Sequence, residues 1–264
     1  MSSENQSRRG YLLRYRAAAT IALAALLGSY CSQAQTALTV SAAASLKDAL
    51  VETENAYKQG HDIVAFANNF GSSGTLAAQI DQGAPVDVFL SAASKPMDDL
   101  EVKGLIVPGT HRNLLRNTLV LIVPLDSKLH DIRGLTDESI RMIALGDPAS
   151  VPAGQYGKET LLSLHLWDRL NGKLVLGKDV RQVLTYVDTG NADAGFVYAT
   201  DAMTANKVRV IATVPESAHE PIVYPAAVVK GSRNEAAARM FIDYLASPAA
   251  QAIFQRHGFT MATP

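Results

Sequence analysis

Cysteine is almost absent from this sequence: Cys31 is the only one among 264 residues. Everything after it therefore has no disulfide and no thiolate metal site. The six histidines, His61, His111, His130, His165, His219 and His257, lack the H-x-H or H-E-x-x-H spacing that a metal requires. No G-x-x-x-x-G-K-[ST] loop and no G-x-G-x-x-G fingerprint occurs, which removes the common nucleotide-binding signatures. "FGSSGT" (Phe70 to Thr75) lacks the spacing of a nucleophile elbow. Asp98-Asp99 and Asp137-Glu138 sit in polar surroundings and read as solvated helix starts rather than acid–base dyads. Beyond residue 34 no apolar run approaches the ~20 residues of a membrane span.

The first 34 residues have the pattern of an export signal. Arg8, Arg9, Arg14 and Arg16 precede the short apolar run Ala17 to Gly28, and Ser32 and Ala34 supply the small residues of a cleavage site. "SRRGYLL" (Ser7 to Leu13) also resembles a twin-arginine signal, a route for proteins folded before export, and the ordinary unfolded-export route stays open because an Arg-Arg pair is common in any basic n-region. Bulky Tyr30 ahead of Cys31 argues against lipidation there. Cleavage after Ala34 leaves 230 residues with 20 basic and 24 acidic side chains, a net charge of −4. That balance argues against nucleic acid and an anionic membrane surface as partners.

What remains alternates short apolar runs with helical patterns. "ALTVSA", "DIVAFA", "VDVFLSA", "TLVLIV", "RMIAL", "AGFVYA", "VRVIAT" and "YPAAVV" read as strands. Leu46, Ala49, Leu50, Thr53 and Tyr57 fall at helical spacing, as do Val180, Val183, Leu184 and Val187, and Met240, Phe241, Tyr244 and Leu245. Ser247-Pro248 begins a last helix, and Trp167 reads as core beside Leu162, Leu166 and Leu170. The alternation predicts an α/β chain with largely parallel sheet and helices on both faces. The extended, proline-punctuated stretches Asn117 to Pro124 and Ile222 to Gly231 are candidate crossings between two lobes.

Four helix starts share small or hydroxyl lead-ins: "AAASLKDAL" with Ser45, "FGSSGTLAAQI" with Ser72, Ser73 and Thr75, "DPASVPAGQYGKETL" around Ala153 and Gly154, and "LGKDVRQVL" around Val180. A helix start carries free N–H groups and the positive end of the helix dipole. Small neighbours let an anion approach these groups closely. A serine in such a place usually caps its own helix, and Gly-Ser-Ser-Gly usually makes a turn, so local pattern alone does not make a site. Tyr198 lies at the carboxyl end of "DAGFVYATDA", the edge where open α/β sheets bind ligands.

In their order and spacing, "AAASL", "FGSSGTLAAQI", "GAPVDVFLSA", "GDPASVPAGQYGKE", "DVRQVL", "AGFVYATDA" and "YPAAVV" make the chain resemble the periplasmic molybdate-binding proteins, soluble receptors of molybdate ABC importers. The resemblance implies a two-lobed type II periplasmic binding protein fold with an interlobe cleft. It implies residues 35–117 and 225–264 as one lobe and 118–224 as the other. It carries the oxyanion site onto Ser45, Ser73, the backbone at Ala153 and Val180, and Tyr198, with Ser73 rather than Ser72 as the hydroxyl donor. It further implies molybdate or tungstate as ligand, no cofactor, no catalysis, a membrane permease as partner, and a monomer in the periplasm. Two alternatives stay open: a receptor for another oxyanion such as sulfate or thiosulfate, and an exported hydrolase using Ser45 or Ser73.

Overall fold

The computed structural model describes residues 36–61 and 64–262, so the export signal and its twin-arginine-like stretch lie outside the described residues. The chain runs through β1 (Thr36–Ala43), α1 (Lys47–Lys58), β2 (Val64–Gly71), α2 (Ser73–Asp81), β3 (Val88–Leu90), α3 (Ser94–Val102) and β4 (Arg112–Arg116). It continues through β5 (Leu119–Pro124), β6 (Ile143–Gly146), α4 (Pro152–Ser163), β7 (Leu174–Gly177), α5 (Val180–Asp188), β8 (Ala194–Tyr198) and β9 (Val208–Thr213). Then follow β10 (Val223–Val228), α6 (Glu235–Leu245), α7 (Pro248–Arg256) and β11 (Thr260–Met261).

Two sheets result. One has the order β11-β4-β10-β3-β1-β2 and the other β7-β6-β8-β5-β9. The chain passes from the first to the second through Asn117 and Thr118, and returns between Thr213 and Val223. Five of the nine strand pairings among the described residues are antiparallel, so the sheets are mixed rather than largely parallel. The reason lies in the crossings. A strand–helix–strand unit forces its strands parallel. By contrast, β5 and β10 each arrive from the other sheet and run antiparallel to both of their neighbours.

Period-two alternation distributes side chains over both faces of the first sheet. In β3, Val88 and Leu90 join the main apolar cluster, whereas Phe89 joins a second cluster with Leu76, Ile80, Met97 and Leu100 from α2 and α3. The opposite face is covered by α1, α6 and α7 through Leu50, Phe241 and Phe254. Burying each of these large side chains contributes roughly 1.5–3 kcal/mol. On the second sheet α4 lies directly on β6. A Cβ at Gly154 would stand 1.9 Å from the Gly146 carbonyl oxygen, so only glycine permits this approach.

Some sequence expectations shift. β4, β7 and β11 are not among the strands read from the sequence: in β4 two leucines are flanked by arginines, "RNLLR", β7 is four residues long with Leu176 exposed at a sheet edge, and β11 is two residues long. In α6 the buried face is Ala238, Phe241, Ile242 and Leu245, and Met240 is 52% exposed. Leu162 is likewise exposed, and Trp167 is only partly buried, with the Lys158 ammonium 5.2 Å from its ring centroid.

Candidate functional site

Each helix start singled out in the sequence sits at the carboxyl end of a strand. Ser45 falls in a short 3-10 turn, Ala44–Leu46, between β1 and α1. Ser73 is the first residue of α2, directly after β2. Pro152 opens α4 and has no N–H of its own, so Ala153 contributes the first amide of that helix. Val180 is the first residue of α5, whose Asp179 cap accepts from Gln182 N at 2.8 Å. First-turn amides have no acceptor within their own helix. No other hydrogen bond among the described residues engages the N–H of Ser73, Ala153 or Val180.

The two adjacent serines behave differently. Ser72 caps α2: its Oγ accepts from Thr75 N at 3.3 Å and donates its proton to Thr75 Oγ1 at 2.8 Å. Ser73 Oγ accepts from Ala92 N at 2.8 Å, which leaves its hydroxyl proton free. Ser45 Oγ lies 3.0 Å from Tyr224 Oη. Tyr198 Oη makes a long bond to the Ala92 carbonyl, 3.4 Å. Burial drives the Tyr198 hydroxyl well above the usual tyrosine range, with nearby Tyr224 adding to the effect. It therefore stays protonated, and its one proton, held only by the long bond to the Ala92 carbonyl, is the one it would turn to an anion.

Ser45, Ser73, Ala153, Val180 and Tyr198 line one cavity, drawn from both sheets. Ala43, Ala44 and Ala92 close around it, so small side chains leave the backbone accessible. Among the described residues no lysine, arginine, histidine or carboxylate lines it. The space open to the centre of a water-sized sphere is about 10 Å³. That is far below the several hundred Å³ of an organic-ligand pocket. It suits one small ion. A broader groove of about 280 Å³ lies nearby, but its charges are mutually paired, Lys95 with Asp99 and Lys103 with Asp81. Wide, shallow and internally neutralised, it offers no comparable convergence of free donors.

Residues 38–260 match the family of bacterial extracellular solute-binding proteins. The chain belongs to this family. As a solute-binding protein it is a transport receptor and not an enzyme. A Bacillus subtilis (strain 168) protein described as an ABC transporter substrate-binding lipoprotein, YvgL, is 45% identical over 231 residues, 87% of this chain and 88% of that protein. The molybdate-binding protein ModA of Escherichia coli (strain K12) is 43% identical over 232 residues, 85% of this chain and 89% of that one. The solved periplasmic molybdate-binding protein of Azotobacter vinelandii superposes with a TM-score of 0.77 at 28% identity, covering 86% of this chain and all of that one. The two-lobed solute-receptor fold follows from these likenesses and from the two sheets.

Sequence reasoning overlooked several residues around the cavity. Ala92 fixes Ser73 through its N–H and meets Tyr198 through its carbonyl. Tyr224 and Asn117 lie behind Ser45, and Arg181 bridges Asp48 and Asp201. Tyr224 stands within "YPAAVV" and Asn117 within a crossing stretch, but nothing local marked either as a site residue.

Proposed function

We propose that this solute-binding protein captures molybdate, and tungstate equally, in the periplasm and delivers it to the membrane permease of an ABC importer. The observation that carries the reading is a small chamber lined by N–H and O–H donors and by no charged side chain. Molybdate is a fully deprotonated tetrahedral dianion near neutral pH, so its oxygens only accept hydrogen bonds. A site of neutral donors matches it, and a carboxylate there would repel it. Ser45 and Ser73 hydroxyls, the Ala153 and Val180 amides and the Tyr198 hydroxyl are the assigned donors.

Hydrogen bonds to a charged group contribute about 1.5–3 kcal/mol each. Five or more of them offset association and closure costs of about 4–15 kcal/mol and leave tight, reversible binding. The two sheets, each with its helices, act as lobes that hinge at Asn117-Thr118 and at the return before β10. Chamber size then selects against smaller sulfate. The same reading takes the exported protein as a monomer, cleaved after Ala34, with the twin-arginine and the ordinary unfolded-export routes both open.

Calorimetric titration of the mature protein with molybdate, tungstate, sulfate and thiosulfate tests the proposal. Molybdate and tungstate should bind with similar affinity and sulfate far more weakly. Sulfate binding tighter than molybdate would overturn it. A hydrolase reading has no support in the chamber, since no histidine base lines it beside Ser45 or Ser73.

A further inference from the structure

Asn117 fixes the direction of a chain of hydroxyl protons that ends at the chamber. Its Oδ1 must be the atom facing Thr118 N, 2.8 Å away, because a backbone N–H can only donate. The side-chain amide is thereby held in one orientation, and Nδ2 presents its two hydrogens to Thr200 Oγ1 at 2.9 Å and Tyr224 Oη at 3.2 Å. An NH2 group cannot accept, so Tyr224 Oη is an acceptor toward Asn117. Among the described residues Tyr224 Oη has one other hydrogen-bond partner, Ser45 Oγ at 3.0 Å. The neighbouring Tyr198 ring meets Tyr224 edge-on at 5.8 Å, and its hydroxyl interacts with that of Tyr224 but directs its proton to Ala92, so the well-formed contact of Tyr224 Oη is the one to Ser45 at 3.0 Å. The Tyr224 proton therefore goes to Ser45. Tyr224 is fully buried and its hydroxyl is pushed well above the usual range by burial, so that proton stays in place.

We propose that Asn117 and Tyr224 are positioning residues which bias Ser45 to donate to the bound anion, by engaging one of its lone pairs through the relay Asn117 to Tyr224 to Ser45. This rests on the assignment of Ser45 to the oxyanion site made above. Ser73 is polarised in the same sense by the Ala92 N–H, so each serine has one lone pair already engaged and turns its proton to the chamber. The relay starts in the crossing between the sheets, where Asn117 holds Thr200 beside the second sheet and Tyr224 in the first. Without it the Ser45 hydroxyl is free to turn, and it then also serves a ligand oxygen that carries a proton.

The test is a double-mutant cycle read by calorimetry with molybdate: parent, Tyr224→Phe, Ser45→Ala and the two combined. Tyr224→Phe should weaken binding about tenfold in the parent, as for one hydrogen bond to a charge, and less than about twofold when Ser45 is already alanine. It should also narrow the preference for molybdate over hydrogen phosphate at pH 8, a change that a merely structural defect would not produce. An equal loss in both backgrounds, or no loss in either, overturns the relay while leaving the site intact. If Ser45→Ala itself binds like the parent, the site assignment fails and the relay with it. Should Tyr224→Phe not fold, Asn117→Ala carries the same cycle, because it keeps both hydroxyls and removes the group that orients them, while its lost bonds to Thr200 and Thr118 weigh equally in both Ser45 backgrounds.

Discussion

The backbone N–H of Gly74, in the first turn of α2, donates to the carbonyl oxygen of Ser150 at 3.0 Å, in the loop that leads into α4. One partner belongs to the first sheet's helices and the other to the second's, so this bond exists only while the lobes are together. A Cβ at Gly74 would come within 2.6 Å of the Ser150 oxygen and 2.9 Å of its Cα. Gly74→Ala should leave α2 intact, since alanine suits a helix, and should weaken molybdate binding by about 1–3 kcal/mol through crowding of the closed form. Calorimetry paired with small-angle X-ray scattering checks this. Full ligand-induced compaction at parent affinity would count against the contact as a closure determinant.

The difference between Ser72 and Ser73 gives a second prediction. Ser73→Ala and Ser45→Ala should each weaken molybdate binding by about 1–3 kcal/mol, the loss of a donor facing a buried charge. Ser72→Ala should instead lower the thermal midpoint by removing a helix cap, at about 1 kcal/mol, with affinity nearly unchanged. Titrations and melts of the three variants separate the roles, and an affinity loss confined to Ser72→Ala would reverse the assignment.

Glu54 predicts a pH dependence of stability. It is buried on α1, with Oε2 accepting from Asn68 at 2.7 Å and Oε1 lacking a hydrogen-bond partner. Burial pushes its carboxyl up from 4.5 to about 7, against the opposing pull of Asn68 and Lys58. Between those values the folded state holds a proton that the unfolded state has released. Its contribution is therefore complete below about pH 4.5 and is lost as the pH rises through 7. Glu54→Gln should match the parent near pH 4.5 and exceed it by about 1–3 kcal/mol at pH 8. Denaturant unfolding at the two pH values measures this, and an unchanged difference between them would exclude Glu54 as the source.

Arg181 joins two carboxylates of unlike setting. Its Nε lies 2.6 Å from Asp201, which is fully buried, and its guanidinium reaches Asp48 on α1 at 2.7 Å. The Asp201 contact is close without the alignment of a hydrogen bond, so its attraction is that of charge. Burial raises the Asp201 carboxyl and Arg181 opposes the rise. Arg181→Met strands a buried acid and should destabilise by about 3–5 kcal/mol. Asp48→Asn breaks only the half-exposed pair between the sheets and should cost less than about 1 kcal/mol. Equal losses in chemical denaturation would show that the buried partner does not dominate.

Local signals in this chain were legible because helix starts are written locally. Ser247-Pro248, Asp179 and Ser72 cap helices where the sequence places them, and Val180, Val183, Leu184 and Val187 form the buried face of α5. Strand direction was not legible, since it depends on whether a strand follows a helix or arrives from the other sheet. The face of α6 was misjudged at Met240 because Ile242 takes the buried place one step round the helix.

The sequence alone determined the alternation of strand and helix and the small residues that open a helix start to an anion, since these depend on neighbours a few positions apart. It also set the uncharged character of those starts, through the side chains it placed there. The tertiary structure decided that the starts converge, and which hydroxyl protons are free. Ser45 meets Tyr224 across 179 positions of chain, Asn117 meets Tyr224 across 107, and Tyr198 meets Ala92 across 106. Hydrogen-bond direction is a property of partners, and these partners are brought together only when two sheets, exchanging strands at two crossings, fold against each other.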